Sequence, residues 1–170
     1  MKGFLKELIV AALIAFLILQ FVKPTIVKES SMQPTLYENN YIFLSKQSYH
    51  IGEPKRGDII VFHTNLTNQE GEEKLLIKRV IGLPGDKISV LQGEVFINDK
   101  KQVEPYTLEG FTSGYLEDFI VPEGQLFVMG DNRAVSLDSR APEIGCVEID
   151  KVVGKAFLRL YPFSDMGLLN

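Results

Sequence analysis

From Leu8 to Val22 every position is apolar except Gln20, and Phe4 and Leu5 carry the stretch back past Lys6 and Glu7. No polar face recurs at helical spacing, so the segment suits lipid better than one side of a small domain. Fifteen helical residues rise about 22 Å. Counting from Phe4, with Lys6 and Lys23 extending their ammonium groups towards water, closes most of the gap to a hydrocarbon core of roughly 30 Å. A cleaved leader would end in small residues in an Ala-x-Ala pattern, whereas Phe21-Val22-Lys23-Pro24 follows here. Residues 1–23 are therefore expected to be a single transmembrane anchor. The flanking lysines lean only weakly towards a cytoplasmic N-terminus.

After Pro24 the pattern changes to short runs rich in Val, Ile and Phe, separated by turn residues. Strands are predicted at Tyr41 to Ser45, Asp58 to His63, Lys74 to Ile81, Lys87 to Leu91, Glu94 to Ile97, Gln125 to Met129 and Val152 to Arg159. Gln92-Gly93 reads as a hairpin turn, and the polar stretches Thr64 to Glu73 and Glu104 to Leu116 read as loops. The expected fold is mainly β, an antiparallel β-sheet domain over residues 24–170 carried by one N-terminal helix.

Composition narrows the function classes. The chain has 170 residues and a net charge of -4, with no basic stripe to neutralise phosphates, which argues against a nucleic-acid binder. Cys146 is the only cysteine, so no internal disulfide can form, and it reads as a small core residue. His50 and His63 show no metal-ligand spacing and no evident acidic partner, so neither a metal site nor a Ser-His-Asp triad is expected.

One charge stands out against this background. Lys78 lies inside Leu75-Leu76-Ile77-Lys78-Arg79-Val80-Ile81, a run apolar enough to be a buried strand, closed by Gly82-Leu83-Pro84-Gly85-Asp86. Alternation puts Leu76, Lys78 and Val80 on one face. Desolvation penalises only the charged amine and lowers its pKa, which would let the lysine act as a base near neutral pH. From the strand alone, a snorkelling lysine paired with Glu72 or Glu73 is the rival reading.

Two further segments have the residue types that such a base could serve. Glu29-Ser30-Ser31-Met32-Gln33-Pro34-Thr35-Leu36 follows the anchor and offers serine nucleophiles, although in isolation it is a polar turn. Gly130-Asp131-Asn132-Arg133-Ala134-Val135-Ser136-Leu137-Asp138-Ser139-Arg140 packs acids, arginines and serines into one loop, a density suited to a rigid polar scaffold or to a surface turn. Arg56-Gly57-Asp58 is a weak adhesion signal and reads as a turn into the next strand.

Together and in this order, the Ser31 to Leu36, Arg56 to Phe62, Lys78 to Asp86 and Gly130 to Arg140 segments resemble the motif boxes of bacterial type I signal peptidases, the membrane-bound Ser-Lys proteases. The likeness extends to Val153-Gly154-Lys155-Ala156 and Arg159-Leu160-Tyr161-Pro162-Phe163, and the modest length is similar to the compact Gram-positive type. The resemblance implies a signal-peptidase/LexA-like catalytic β domain on the extracytoplasmic side of a bacterial cell membrane. It implies Ser31 as nucleophile, Lys78 as general base, and the Ser31 backbone N–H as oxyanion donor. Ser136 would orient the lysine amine, with Asp138, Arg140 and Arg79 bracing the site.

The same likeness implies sheet edges near Ser31 and just before Lys78 that hold substrate as an added strand, with cleavage after Ala-x-Ala. The implied partners are exported preproteins, the lipid bilayer and the secretion translocon, with no nucleic acid, metal or organic cofactor. Two departures stand out. Glu29 occupies a position where many relatives have Gly or Ser, and Ala134 and Val135 replace polar residues of the last box. A LexA-type autoprotease and a non-enzymatic tethered β module are the alternatives; the anchor weighs against the first, and the retained Ser31, Lys78, Ser136 and Asp138 against the second.

Overall fold

The computed structural model describes residues 2–67 and 71–169. Helix α1 (Lys2–Phe21) covers the apolar stretch and, at about 1.5 Å per residue, is about 30 Å long. Its window Phe4–Phe21 has a mean hydropathy of 2.2, and none of it is buried against the protein. Strand β1 (Val22–Ile26) follows without a loop.

Among the described residues eleven more strands follow: β2 (Tyr41–Ser45), β3 (Ile59–Thr67), β4 (Glu73–Gly82), β5 (Lys87–Leu91), β6 (Glu94–Ile97), β7 (Lys100–Lys101), β8 (Leu116–Ile120), β9 (Gln125–Met129), β10 (Val147–Glu148), β11 (Val152–Tyr161) and β12 (Gly167–Leu168). The larger sheet has the order β1-β2-β11-β3-β4-β9-β10, with β12 also on β11; the smaller has the order β7-β6-β5-β8. Every pairing is antiparallel. The mainly β expectation holds. A short helix α2 (Ser48–Ile51), which contains His50, links β2 to the turn before β3.

The apolar start of β3 is a strand buried on both faces. Ile59 and Val61 of β3 pack with Met32, Leu36, Ile42 and Leu44, whereas Ile60 and Phe62 pack on the opposite face with Leu76, Val80, Leu126 and Val128. Another apolar cluster, including Ile81, Ile88, Val90, Phe127 and Met129, joins the two sheets. Cys146 packs half-buried against it, and burial pushes the thiol up to about 11.

Several strands went unforeseen. Pro24 lies in β1, which is tolerated because β1 is the outermost strand of its sheet. The predicted loop Thr64 to Glu73 is shorter than expected, since β3 runs on to Thr67; positions 68–70 fall outside the described residues. The Gln92-Gly93 hairpin is as expected, with φ of 52° and 85°, the paired positive angles of a type I′ turn. Arg56-Gly57-Asp58 is structural: Arg56 pairs with Asp86, and Asp58 accepts from Lys55 N–H, Tyr49 Oη and Lys155 Nζ.

Candidate active site

Ser31 is held by its own segment before anything else touches it. It is the middle residue of a 3-10 turn, Ser30–Met32, and the neighbouring Met32 and Leu36 are fully buried in the core. Farther along, the Thr35 hydroxyl donates to Asp131 Oδ2 and the Thr35 carbonyl accepts from Arg159. The loop after β9 completes the clamp, because the Asn132 N–H donates to the Ser31 carbonyl at 3.0 Å.

Lys78 arrives from the other side on β4. In register it faces Ile60 of β3, so it stands in the row Leu76, Lys78, Val80 where an apolar side chain would continue the core. It is 1% exposed and Ser31 is 5% exposed. Its Nζ lies 2.7 Å from Ser31 Oγ, across 47 positions of sequence, and donates to the Ile77 carbonyl at 2.9 Å. Burial pushes the amine down from its ordinary 10.5 to about 8, against the opposing pull of Asp138 and Glu29. A hydroxyl within hydrogen-bond reach of an amine that loses its proton near pH 8 can be deprotonated as it attacks a carbonyl.

The surrounding charges are paired differently from the expected bracing. Arg79 makes a bidentate pair with Asp131, Nε to Oδ1 at 2.9 Å and Nη2 to Oδ2 at 2.8 Å, and its guanidinium lies 4.1 Å from the Tyr106 ring centre. Asp138 pairs with Arg140, also through both oxygens at 2.8 Å. Burial alone would raise the Asp138 carboxyl, but Arg140 and the Gly130 N–H hold it below its ordinary value. Arg133 is fully buried and clamps Glu104 and the Gly130 carbonyl.

Ser136 also differs from expectation. Its hydroxyl accepts from the Gly130 N–H at 3.1 Å and bonds Asp138, while the second contact of the Lys78 amine is the Ile77 carbonyl. Ser136 therefore braces the loop, and among the described residues no hydrogen bond joins it to the amine. His63, expected to lack an acid, has Glu73 Oε2 at 2.7 Å, but both are half-exposed and neither contacts Ser31. The Glu29 carboxylate pairs with Lys74 at 2.5 Å.

Gly130, Asp131 and Asn132 were not singled out as individual site residues. Gly130 could have been, since a side chain there has nowhere to go. A Cβ would stand 2.3 Å from Ser136 Oγ and 2.4 Å from the Ser31 carbonyl oxygen. Gly130→Ala is therefore expected to push the Ser31 turn away from Lys78. Its kcat should drop by about a hundredfold for a displacement of about 1 Å, with about 1 to 3 kcal/mol of stability lost to overpacking. Steady-state kinetics beside thermal unfolding checks this, and a variant of unchanged kcat contradicts the packing.

A serine hydroxyl beside a buried lysine, on an antiparallel β scaffold with an apolar leading helix, is an arrangement suited to a hydrolase of the serine peptidase class. The sequence profile of the family described as "Signal peptidase, peptidase S26" matches residues 1–161, and the chain belongs to that family. Signal peptidase I U of Bacillus subtilis is 40% identical, over 95% of this chain and 88% of that protein. Signal peptidase IB of Staphylococcus aureus is 34% identical, over 97% of this chain and 94% of its own length. A crystal structure of a signal peptidase I from Enterococcus faecalis is 33% identical, covering 61% of this chain and 96% of that one, with a TM-score of 0.48. The family's reaction is the removal of signal peptides from preproteins.

Proposed function

We propose that this protein is a single-pass membrane endopeptidase that cleaves exported preproteins after Ala-x-Ala sites, with Ser31 and Lys78 as its dyad. The observation that carries the reading is the 2.7 Å between Lys78 Nζ and Ser31 Oγ in a site that excludes water from the amine. Residues 1–23 are the anchor, with the N-terminus cytoplasmic, and residues 24–170 form the extracytoplasmic catalytic domain. The short link from α1 keeps Ser31 close to the bilayer, where a signal peptide's cleavage site emerges beside the translocon.

Substrate binds as an added strand. Strand β9 stops at Met129 opposite Arg79, so Leu75, Leu76 and Ile77 of β4 are paired on their β3 side only, and that free edge leads directly to Lys78. Ser31 Oγ attacks the scissile carbonyl while neutral Lys78 takes its proton. Ser31 N–H, near the start of a 3-10 turn and without an intrahelical acceptor, donates to the oxyanion; one such donor contributes about 3 kcal/mol. Lys78 then protonates the departing amine of the mature protein. It next activates the water that frees the signal peptide from Ser31. Asp138 and Arg140, with Ser136, hold the loop, and Arg79 with Asp131 holds the nucleophile segment.

Full-length protein in detergent, incubated with a preprotein bearing Ala-x-Ala, tests the reading. Mass spectrometry should find a mature N-terminus immediately after the second alanine. The rate should climb from pH 6 to 9 with an apparent pKa near 8, because the free amine is the active form. Cleavage elsewhere, or a rate flat across that window, would sink it.

A further inference from the structure

In the loop after β9, Asp131 is paired with Arg79 and Asp138 with Arg140, and Glu104, from the segment before β8, is paired with Arg133. Glu29, two residues before Ser31, stands outside that pattern. Its partner is Lys74 of β4, with Nζ 2.5 Å from Oε1 and side chains 36% and 41% exposed for Lys74 and Glu29. Lys74 is four residues before Lys78 on the same strand face, about 13 Å along β4. Thr64 Oγ1 fixes its backbone by donating to the Lys74 carbonyl at 2.6 Å. The nucleophile segment and β4 are thus bridged twice, once by Ser31 with Lys78 and once by Glu29 with Lys74.

With Ser31 and Lys78 as the reacting pair, as proposed, we infer that Lys74 is a positioning residue for the reaction: it binds Glu29 and offsets the carboxylate that this chain carries beside its nucleophile. The groups facing Lys78 are Glu29 from the nucleophile segment, Lys74 from β4, and Asp138 and Asp131 from the loop after β9. Glu29, Asp138 and Asp131 favour the charged amine, and Lys74 opposes it. Asp131 and Asp138 are locked to their arginines, so the balance left to adjust is that between Glu29 and Lys74.

The test is the pH dependence of kcat/KM for full-length parent, Lys74→Gln, Glu29→Gln, the double variant and Lys74→Arg on one Ala-x-Ala preprotein. Removing Lys74 leaves Glu29 unopposed and favours the charged amine, so the rising limb moves to higher pH. The expected move is about half a pH unit, the size two charges roughly 10 Å apart produce at a half-exposed site, or about a threefold loss at pH 7. Glu29→Gln moves the limb the other way, the double variant returns it close to the parent position, and Lys74→Arg leaves it in place. High salt shrinks both moves, since the pair is open to solvent.

Single variants whose limb stays at the parent pH, with KM alone altered, overturn the inference and make the pair a substrate contact. So does Lys74→Arg behaving like Lys74→Gln. Lys78→Ala is run alongside: if it cleaves at the parent rate the dyad itself is wrong, whereas an inactive Lys78→Ala with unmoved limbs refutes only the part given to Lys74.

Discussion

Lys78→Met is expected to abolish cleavage and, at the same time, to stabilise the protein. Loss of the proposed base should reduce kcat/KM by about a thousandfold or more. The stability gain has a separate origin. Lowering the amine from 10.5 to about 8 means that the folded state bears a net penalty of roughly 3 kcal/mol, desolvation less the pull of Asp138 and Glu29, whenever the amine is charged, at about 1.36 kcal/mol per pH unit. Methionine removes that penalty and keeps the stem's packing beside Leu76, Val80 and Ile60. Loss of the bonds to Ser31 Oγ and the Ile77 carbonyl, about 1 kcal/mol each, offsets part of it. The net expectation at pH 7 is a gain of about 1 kcal/mol, or about 2 to 4 °C in Tm for a chain of this size.

The pH dependence fixes the cause. Below about 8 the lysine is charged in both folded and unfolded chains, and the folded state carries the whole penalty. Between about 8 and 10.5 the folded amine is neutral while the unfolded one keeps its proton, so the parent gains stability as pH rises. The methionine variant's advantage should therefore be largest below pH 8 and gone by about 10.5. Thermal unfolding of full-length protein in detergent at pH 7 and pH 10 decides it. A methionine variant less stable than the parent at both values contradicts the account, and Ser31→Ala supplies the control that is inactive without relieving the buried charge.

Asp131→Ala should have the largest effect on stability. Arg79 and Asp131 are both buried, at 3% and 0% side-chain exposure, and Asp131 also accepts from Thr35. Truncating the acid takes the bidentate carboxylate from a buried guanidinium, a loss of about 3 to 5 kcal/mol against a typical total of about 5 to 15. The Thr35 and Gly130 to Asn132 segments that hold Ser31 loosen with it, so activity should fall by about a hundredfold or more in whatever fraction folds. Asp131→Asn, which keeps one acceptor, should lose less. An apolar double replacement, Arg79→Met with Asp131→Leu, should recover most of the stability and none of the activity. A double variant no more stable than Asp131→Ala would show that the pair's charge is not what the fold depends on.

Much of this was legible in the chain. The helix followed from an apolar stretch with no polar face, and the seven predicted strands followed from runs whose composition suits burial on both sides. Strands such as β1, β8 and β10 were not, because they are short, polar or carry proline and exist only through the neighbours they pair with. In the site, Lys78 announced itself as a charge in an apolar row. The loop Gly130 to Arg140 announced itself by its density of acids and arginines. Which acid would take which arginine was not readable: Asp138, Arg140 and Arg79 were expected to brace the site together, whereas Arg140 took Asp138, Arg79 took Asp131, and Ser136 took the Gly130 N–H rather than the amine.

What the sequence alone determined is therefore local and compositional: an apolar helix, a mainly antiparallel β domain, a lysine that burial would neutralise and a serine segment in the order of a known family. The tertiary structure decided who meets whom. Ser31 and Lys78 are separated by 47 positions, and their approach to 2.7 Å depends on β4 keeping its register with β3 and on β9 ending where the serine turn docks. A slip of one residue in β4 would turn Lys78 to the opposite face, because successive strand side chains alternate. Distances of that kind are fixed by strand register and by the packing of segments far apart in the chain, and no stretch of sequence contains them by itself.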